Sequence, residues 1–412
     1  MDRQEYELSL MPNDPQTLSS RLSLGFSCLG HAYSHLFAPI FYIAALTLES
    51  DLGLSHGDTV ALIVVGNVLF GAAAPLAGWL GDRWSSTGMM GVFFAGTGAG
   101  MVMTGLSSSA FSIAFWLAVT GFFASIYHPV GIAWLVRHAV NRGAALGING
   151  VFGGIGPALA ALTAGVLIDG FGWRAAFIVP GGVLLVTGGG FYGLVAKKMI
   201  VETKVDRMAD PPTTRRDRVR AFTVLAVTML CTGVIYQATQ AGMPKIFSLR
   251  MSGILGDGAF GLSALVAAVY LSAGAMQLVA GRLADRYPLK KVYSLSFALQ
   301  APFLALAAVV DGGALFAVFL IMVTLNVGAL PAENSLVARY APSHRRGLAY
   351  GLKFILAFGI SGFAVWMEGA FYDWSGGFFL LFTVLAAVAV VALAAGLLLP
   401  SEKALNASSP AE

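Results

Sequence analysis

Apolar runs of about 20 residues, the length a helix needs to cross a bilayer, recur along the whole chain. Twelve can be read, at roughly 23–48, 57–80, 88–106, 110–136, 143–168, 174–196, 220–248, 259–282, 291–310, 313–339, 347–370 and 376–399. A polar stretch at about 197–219, dense in charge and holding Pro211 and Pro212, separates six runs from six and reads as a loop. The pattern predicts an all-α integral membrane protein of twelve transmembrane helices in two six-helix bundles. Its parts are a tail at 1–20, a first half at 21–196, a linker at 197–219, a second half at 220–400 and a tail at 401–412.

Composition agrees with that class. Hydrophobic residues make up 57% of the chain, charged residues only 11%, and mean hydropathy is +0.77; soluble domains carry about 25% charged residues. The 50 glycines suit closely packed membrane helices. Cys28 and Cys231 both fall in apolar runs and read as packing residues, not as a disulfide framework. Residues 1–20 lack the basic start and cleavage site of a signal peptide.

The net charge of +4 is less informative than where the cations sit. All but four of the 25 Lys and Arg lie in the even-numbered connections, the linker and the tails; Arg174, Lys245, Arg250 and Lys353 are the exceptions. Positive loops stay in the cytoplasm, so both termini and the linker are expected there. Short loops and no targeting segment fit a bacterial inner membrane, and no nucleic-acid partner is expected.

The two halves are related to each other. GWLGDRWSSTGMM at 78–90 aligns with GRLADRYPLKKVY at 281–293, and RGAALG at 142–147 with RGLAYG at 346–351. At nearly the same offset Cys28 matches Cys231, Pro39 matches Pro244 and Asp169 matches Asp373. Two similar halves in one orientation can rock about a central site, the geometry of alternating access.

On these features the chain resembles the major facilitator superfamily over about residues 20–400. The loop after span 2 carries its G-x-x-x-D-R motif as Gly78, Asp82 and Arg83, and the loop after span 8 repeats it as Gly281, Asp285 and Arg286. The resemblance implies a gating latch between the halves on the cytoplasmic face, a monomer and no cofactor. YSHLF in span 1, YHP in span 4 and RGAALGINGVFGGIGPALAA in span 5 resemble the fosmidomycin-resistance branch, which implies proton-driven efflux. Ser34-His35 and His128-Pro129 match that branch, whereas Ala38-Pro39 and Val130 stand where it carries acids.

His128 sits in an apolar run, where an ionisable group is expensive. At 1.5 Å per residue from the basic markers, His128, His31 and His35 lie about 14, 15 and 21 Å deep, near the middle of a core about 30 Å thick. His31, Ser34 and His35 share one helix face, and Tyr127 is placed to join them. The repeat maps this patch onto Tyr236, Gln237 and Gln240. A single buried His can be a neutral packing residue bonded to a backbone carbonyl; three at one depth point to a binding cavity. Pro39 and Pro244 are expected to bend their helices as gates.

Glu333 and Lys353 are expected to pair, since both lie about 9–11 Å from the basic edge on neighbouring spans. The pair is either a fixed structural contact or one that opens when Glu333 takes a proton or when an anion reaches Lys353. Glu368 is the other candidate acid, expected near the outer end of span 11 in the membrane interface. Asn149 aligns with Lys353 and is expected to make a polar contact at the same depth. No metal-spaced motif, nucleophile elbow or nucleotide loop is present, so no metal, cofactor or enzyme activity is expected, and a sensor lacks an output domain. The sequence therefore predicts a secondary transporter of a small organic molecule, coupled to protons in the direction of efflux. An uptake symporter or a uniporter for an organic acid is the alternative.

Overall fold

The computed structural model describes residues 15–139, 142–200, 214–251, 258–341 and 346–400. Helices fill all twelve apolar runs. Among the described residues, nine helices, or ten counting His56–Ala72 with Ala74–Arg83 as one span bent by 42°, are long and apolar enough to cross a membrane on their own. The other two runs are helical but weaker: span 1 is split into Pro15–Ser34 and Phe37–Leu52, and span 9, Leu289–Ala307, opens on Lys290 and Lys291. Serines start the short-looped spans. Ser55, Ser85 and Ser109 accept hydrogen bonds from Asp58 N, Gly88 N and Ser112 N, satisfying amides that a helix start leaves free.

Several spans are interrupted where the site lies. Span 1 breaks at His35-Leu36, four residues before Pro39, whose missing N–H leaves the carbonyl of His35 without its helical donor. Span 4 passes through a π-turn at Tyr127–Gly131, and span 11 through another at Ile355–Gly359. Such turns widen the helix and free backbone groups. Pro244 causes no such break. It lies inside one uninterrupted helix, Arg215–Arg250, which tolerates the lost bond to Gln240 within a packed interior.

The halves meet through small residues. A side-chain carbon added at Gly71 of span 2 would collide with the backbone of Gly359 in span 11. One at Gly154 of span 5 would lie 3.0 Å from the Cα of Gly274 in span 8. These crossings bring backbones into contact, as small residues allow in membranes.

The apolar core records which side is shut. On the face carrying the odd-numbered connections, one continuous cluster joins both halves, from Ile40, Phe41 and Leu48 to Phe247, Phe319 and Phe382. Toward the basic face it divides. Phe93, Phe94 and Trp134 pack with the first half, whereas Tyr293, Phe297 and Tyr340 pack with the second. The molecule is thus sealed at the face opposite the basic loops.

Candidate functional site

The span 1 break and the span 4 π-turn bring three imidazoles together. Ring centroids lie 5.4 Å apart for His31 and His35, 5.4 Å for His31 and His128, and 5.2 Å for His35 and His128. His31 Nδ1 lies 2.8 Å from the backbone oxygen of Asn149 and 2.9 Å from its Oδ1. His128 is buried and neither ring nitrogen has a hydrogen-bond partner. Its ring stacks on Phe354 and Phe358 of the second half, at 4.8 and 5.3 Å. The histidine cluster therefore sits at the seam.

Tyr127 does not line the space, contrary to the expectation. It is fully buried because its hydroxyl turns into the first half, donating to Ser27 O at 2.8 Å and accepting from Asn149 Nδ2 at 2.7 Å. Its ring stacks on His31 at 5.0 Å, so it positions that histidine.

Beside His35 is a cavity of about 20 Å³ walled by Ser34, His35 and Asn67 from the first half and by Tyr236, Gln237 and Gln240 from the second. Pro39 and Phe358 also face it. A second space of about 10 Å³ lies deeper in the second half, next to Thr239, Gln300 and Asn326. Thr239 Oγ1, Gln300 Oε1 and Asn326 Nδ2 are buried without hydrogen-bond partners. Each space has room for about one water, so an organic molecule enters only if the halves separate. Asn67, Thr239, Gln300 and Asn326 escaped the sequence reading because it followed the histidines across the repeat and did not weigh every polar residue within a span.

Glu333 and Lys353 form an ion pair, Nζ to Oε1 at 2.9 Å, with side chains 1% and 7% exposed. Tyr293 donates to Glu333 Oε2 at 2.7 Å and lies 2.9 Å from Thr228 Oγ1, and Asn334 Oδ1 accepts from Lys353. Asn149 holds the matching place in the first half, where it is bonded to Ser27, Tyr127 and His31 and no carboxylate or ammonium takes part.

The sealed face carries an arrangement that no motif announced. Asp169, at the end of span 5, accepts from the amides of Ala259 and Phe260, the first residues of span 8, at 2.7 and 2.8 Å. Asp373, at the end of span 11, accepts from the amide of Gly57 at 3.1 Å and from Ser55 Oγ at 2.6 Å, at the start of span 2. Each half thus caps a helix of the other with a carboxylate, where the helix dipole favours negative charge. Next to them His56 bridges Glu49 (2.7 Å) and Glu368 (2.9 Å), and Lys245 pairs with Glu49. Glu368 lies toward that end of span 11 but is not in the membrane interface. It is fully buried because it faces His56 of the opposite half.

The G-x-x-x-D-R loops look different. Arg137 reaches Asp82 at 3.5 Å, which links spans 2 and 4 of the first half, and Arg83 lies 5.1 Å above the Trp79 ring. Gly78 packs on Pro129. Gly281 is partly exposed, and Asp285 and Arg286 are exposed. The Asp82 ion pair thus joins neighbours in one half, since the last turn of span 4 places Arg137 beside it. Arg142 and Arg346, from the aligned RGAALG and RGLAYG segments, have side chains outside the described residues.

Two six-helix halves, a polar cluster at their seam and one sealed face are what alternating access requires, and comparison with known proteins decides the family. The model for the Major Facilitator Superfamily matches residues 26–271 and 246–412. The chain belongs to the Major Facilitator Superfamily. A probable hexose phosphate transport protein of Chlamydia pneumoniae is 29% identical over 159 residues, 37% of this chain and 34% of its own. A multidrug resistance protein B homolog of Mycobacterium tuberculosis is 27% identical over 159 residues, 38% of this chain and 29% of its own. The chain thus spans about a third of the length of the curated relatives it matches. A peptide transporter crystal structure superposes with a TM-score of 0.72 at 17% identity, covering 97% of both chains. An inward-facing bacterial homolog of the human lysosomal transporter Spinster gives 0.68 at 12% identity, covering 91% of this chain and 93% of that one. This facilitator is a multi-pass membrane protein.

The reciprocal caps can be tested in this facilitator. Asp169→Asn with Asp373→Asn keeps the shape but removes both charges at the helix starts. We expect the sealed face to open several-fold more often, read as faster labelling of a Thr239→Cys reporter by a membrane-impermeant maleimide. Labelling at the unmodified rate would mean that the caps do not hold this face shut.

Proposed function

We propose that this facilitator exports a small organic molecule by alternating access, driven by protons entering in exchange. The observation that carries the proposal is the seam where Ser34, His35 and Asn67 of one half face Tyr236, Gln237 and Gln240 of the other, with His31 next to His35. A cargo held there touches both halves, so each orientation of the halves exposes it to one side only. Histidine can carry a proton or hydrogen-bond an anion, and among the described residues Glu333 and Glu368 are buried carboxylates that could take protons. The halves are 21–196 and 220–400, rocking as a monomer over a 197–219 linker. The basic face lies in the cytoplasm of a bacterial inner membrane, which makes the sealed face the outer one. The resemblance of Ser34-His35 and Tyr127-His128-Pro129 to the fosmidomycin-resistance branch and the match to a multidrug resistance homolog support export. Uptake or facilitated passage of an organic anion is the second reading, favoured by the histidines, Lys353 and the hexose phosphate relative.

The test uses the protein reconstituted in vesicles with an internal pH-sensitive dye, screened with organic anions, phosphonates and cationic drugs. Cargo-dependent proton movement is expected, at least tenfold lower in His35→Ala and in Glu333→Gln. Cargo flux with no proton movement would reject coupling, and no flux with any cargo class would reject the cavity assignment.

A further inference from the structure

The histidine cluster is also a set of metal ligands. One ring nitrogen from each of His31, His35 and His128 can be chosen so that all three lie within 4.8 Å of one another. Zinc–imidazole bonds of about 2.0–2.1 Å in tetrahedral geometry set ligand nitrogens about 3.4 Å apart, so closure requires a shift of about 1.4 Å at most. The carriers of two of the rings are suited to such a shift: His35 sits in the break of span 1 and His128 in the π-turn of span 4. The third ring is already oriented. The two Asn149 oxygens beside His31 Nδ1 favour a proton there and leave Nε2 as the lone pair, the arrangement that orients metal-bound histidines. His128 supplies the strongest sign of a missing ligand, since both its nitrogens are buried and unpartnered, which native interiors rarely tolerate.

We propose that His31, His35 and His128 bind one divalent transition-metal ion, with the fourth position open to the cavity beside His35. Three neutral imidazoles and no carboxylate select zinc, cobalt, nickel or copper over magnesium and calcium. A dication placed in this apolar interior also needs a counter-charge, so the fourth ligand is an anion such as chloride or hydroxide entering past Ser34 and Asn67. The inference does not depend on the transport reading: a chain that bound metal and moved nothing would satisfy it.

The experiment uses the full chain, purified without a polyhistidine tag, stripped with chelator and titrated with Co²⁺ in chloride buffer. One Co²⁺ per chain is expected, with the visible absorption of a tetrahedral site. His35→Ala and His128→Ala should each weaken binding at least tenfold, and Asn149→Ala, which spares the backbone carbonyl, by about tenfold. His138→Ala, whose ring bonds Trp134 O at 2.8 Å, should bind as the unmodified chain does. X-ray absorption of the zinc-loaded unmodified protein should count three imidazoles, a measurement that needs no variant to fold. Absence of the cobalt spectrum, persistence of it in both histidine variants, or a zinc shell with fewer than three imidazoles would each overturn the site.

Discussion

Replacing Lys353 with methionine will destabilise the protein by about 3–5 kcal/mol, the cost of leaving a buried charge without its partner. Glu333 is 1% exposed and its other oxygen already accepts from Tyr293, so water cannot take the place of the ammonium. Glu333→Gln leaves Lys353 with Asn334 as its remaining neighbour and should cost a similar amount. The double variant, Glu333→Gln with Lys353→Met, removes both charges together and should recover most of the loss, because an apolar or amide pair of similar size replaces a buried ion pair with little penalty. Unfolding free energies of the four proteins in mixed micelles close this cycle. A coupling near zero would show that the pair contributes no net interaction. If Lys353→Met alone is as stable as the unmodified chain, Glu333 has taken a proton in place of its partner, the property required of a proton carrier.

The pair also shows what a linear sequence can convey. Glu333 and Lys353 lie 20 residues apart on consecutive spans, and counting from the basic edge suffices to place them at one level. The same counting sets the three histidines at one depth, and they do meet. Hydropathy, the linker and the repeat likewise carry the fold, because a membrane span is written in one continuous run. The sealed face was illegible for the opposite reason. Its contacts join residues far apart, His56 to Glu368 and Asp169 to Ala259, and depend on how one half docks on the other. Asp169 and Asp373 were visible as a matched pair at the repeat offset, but a match says only that both halves use an aspartate there. That each serves the other half's helix is a property of the docked molecule. The breaks at His35 and Tyr127 fall between. Pro39 and Pro129 advertise lost hydrogen bonds, whereas Pro244 sits in an unbroken helix, so a proline marks where a helix can yield and packing decides whether it does.

Docking through glycine yields the second large effect. Gly71→Leu should abolish sealing of the face opposite the basic loops, because even its first side-chain carbon would overlap the Gly359 backbone, which no rotamer change can relieve. Spans 2 and 11 would be held apart. The contacts that depend on their approach, His56 to Glu368 and Gly57 to Asp373, would then fail together. Transport should fall at least tenfold while the chain still folds, since the clash lies between halves and each half keeps its own packing near the basic face. A Thr239→Cys reporter, buried in the unmodified chain, should be labelled by a membrane-impermeant maleimide in the Gly71→Leu background. Gly147→Leu is the control, since a side-chain carbon there meets nothing within 4 Å. Protection of the reporter in Gly71→Leu would show that the halves can seal without this crossing, and the pivot would then have to be sought at Gly154 and Gly274. Labelling together with lost transport would instead tie the turnover of this facilitator to the closeness with which two backbones pass each other.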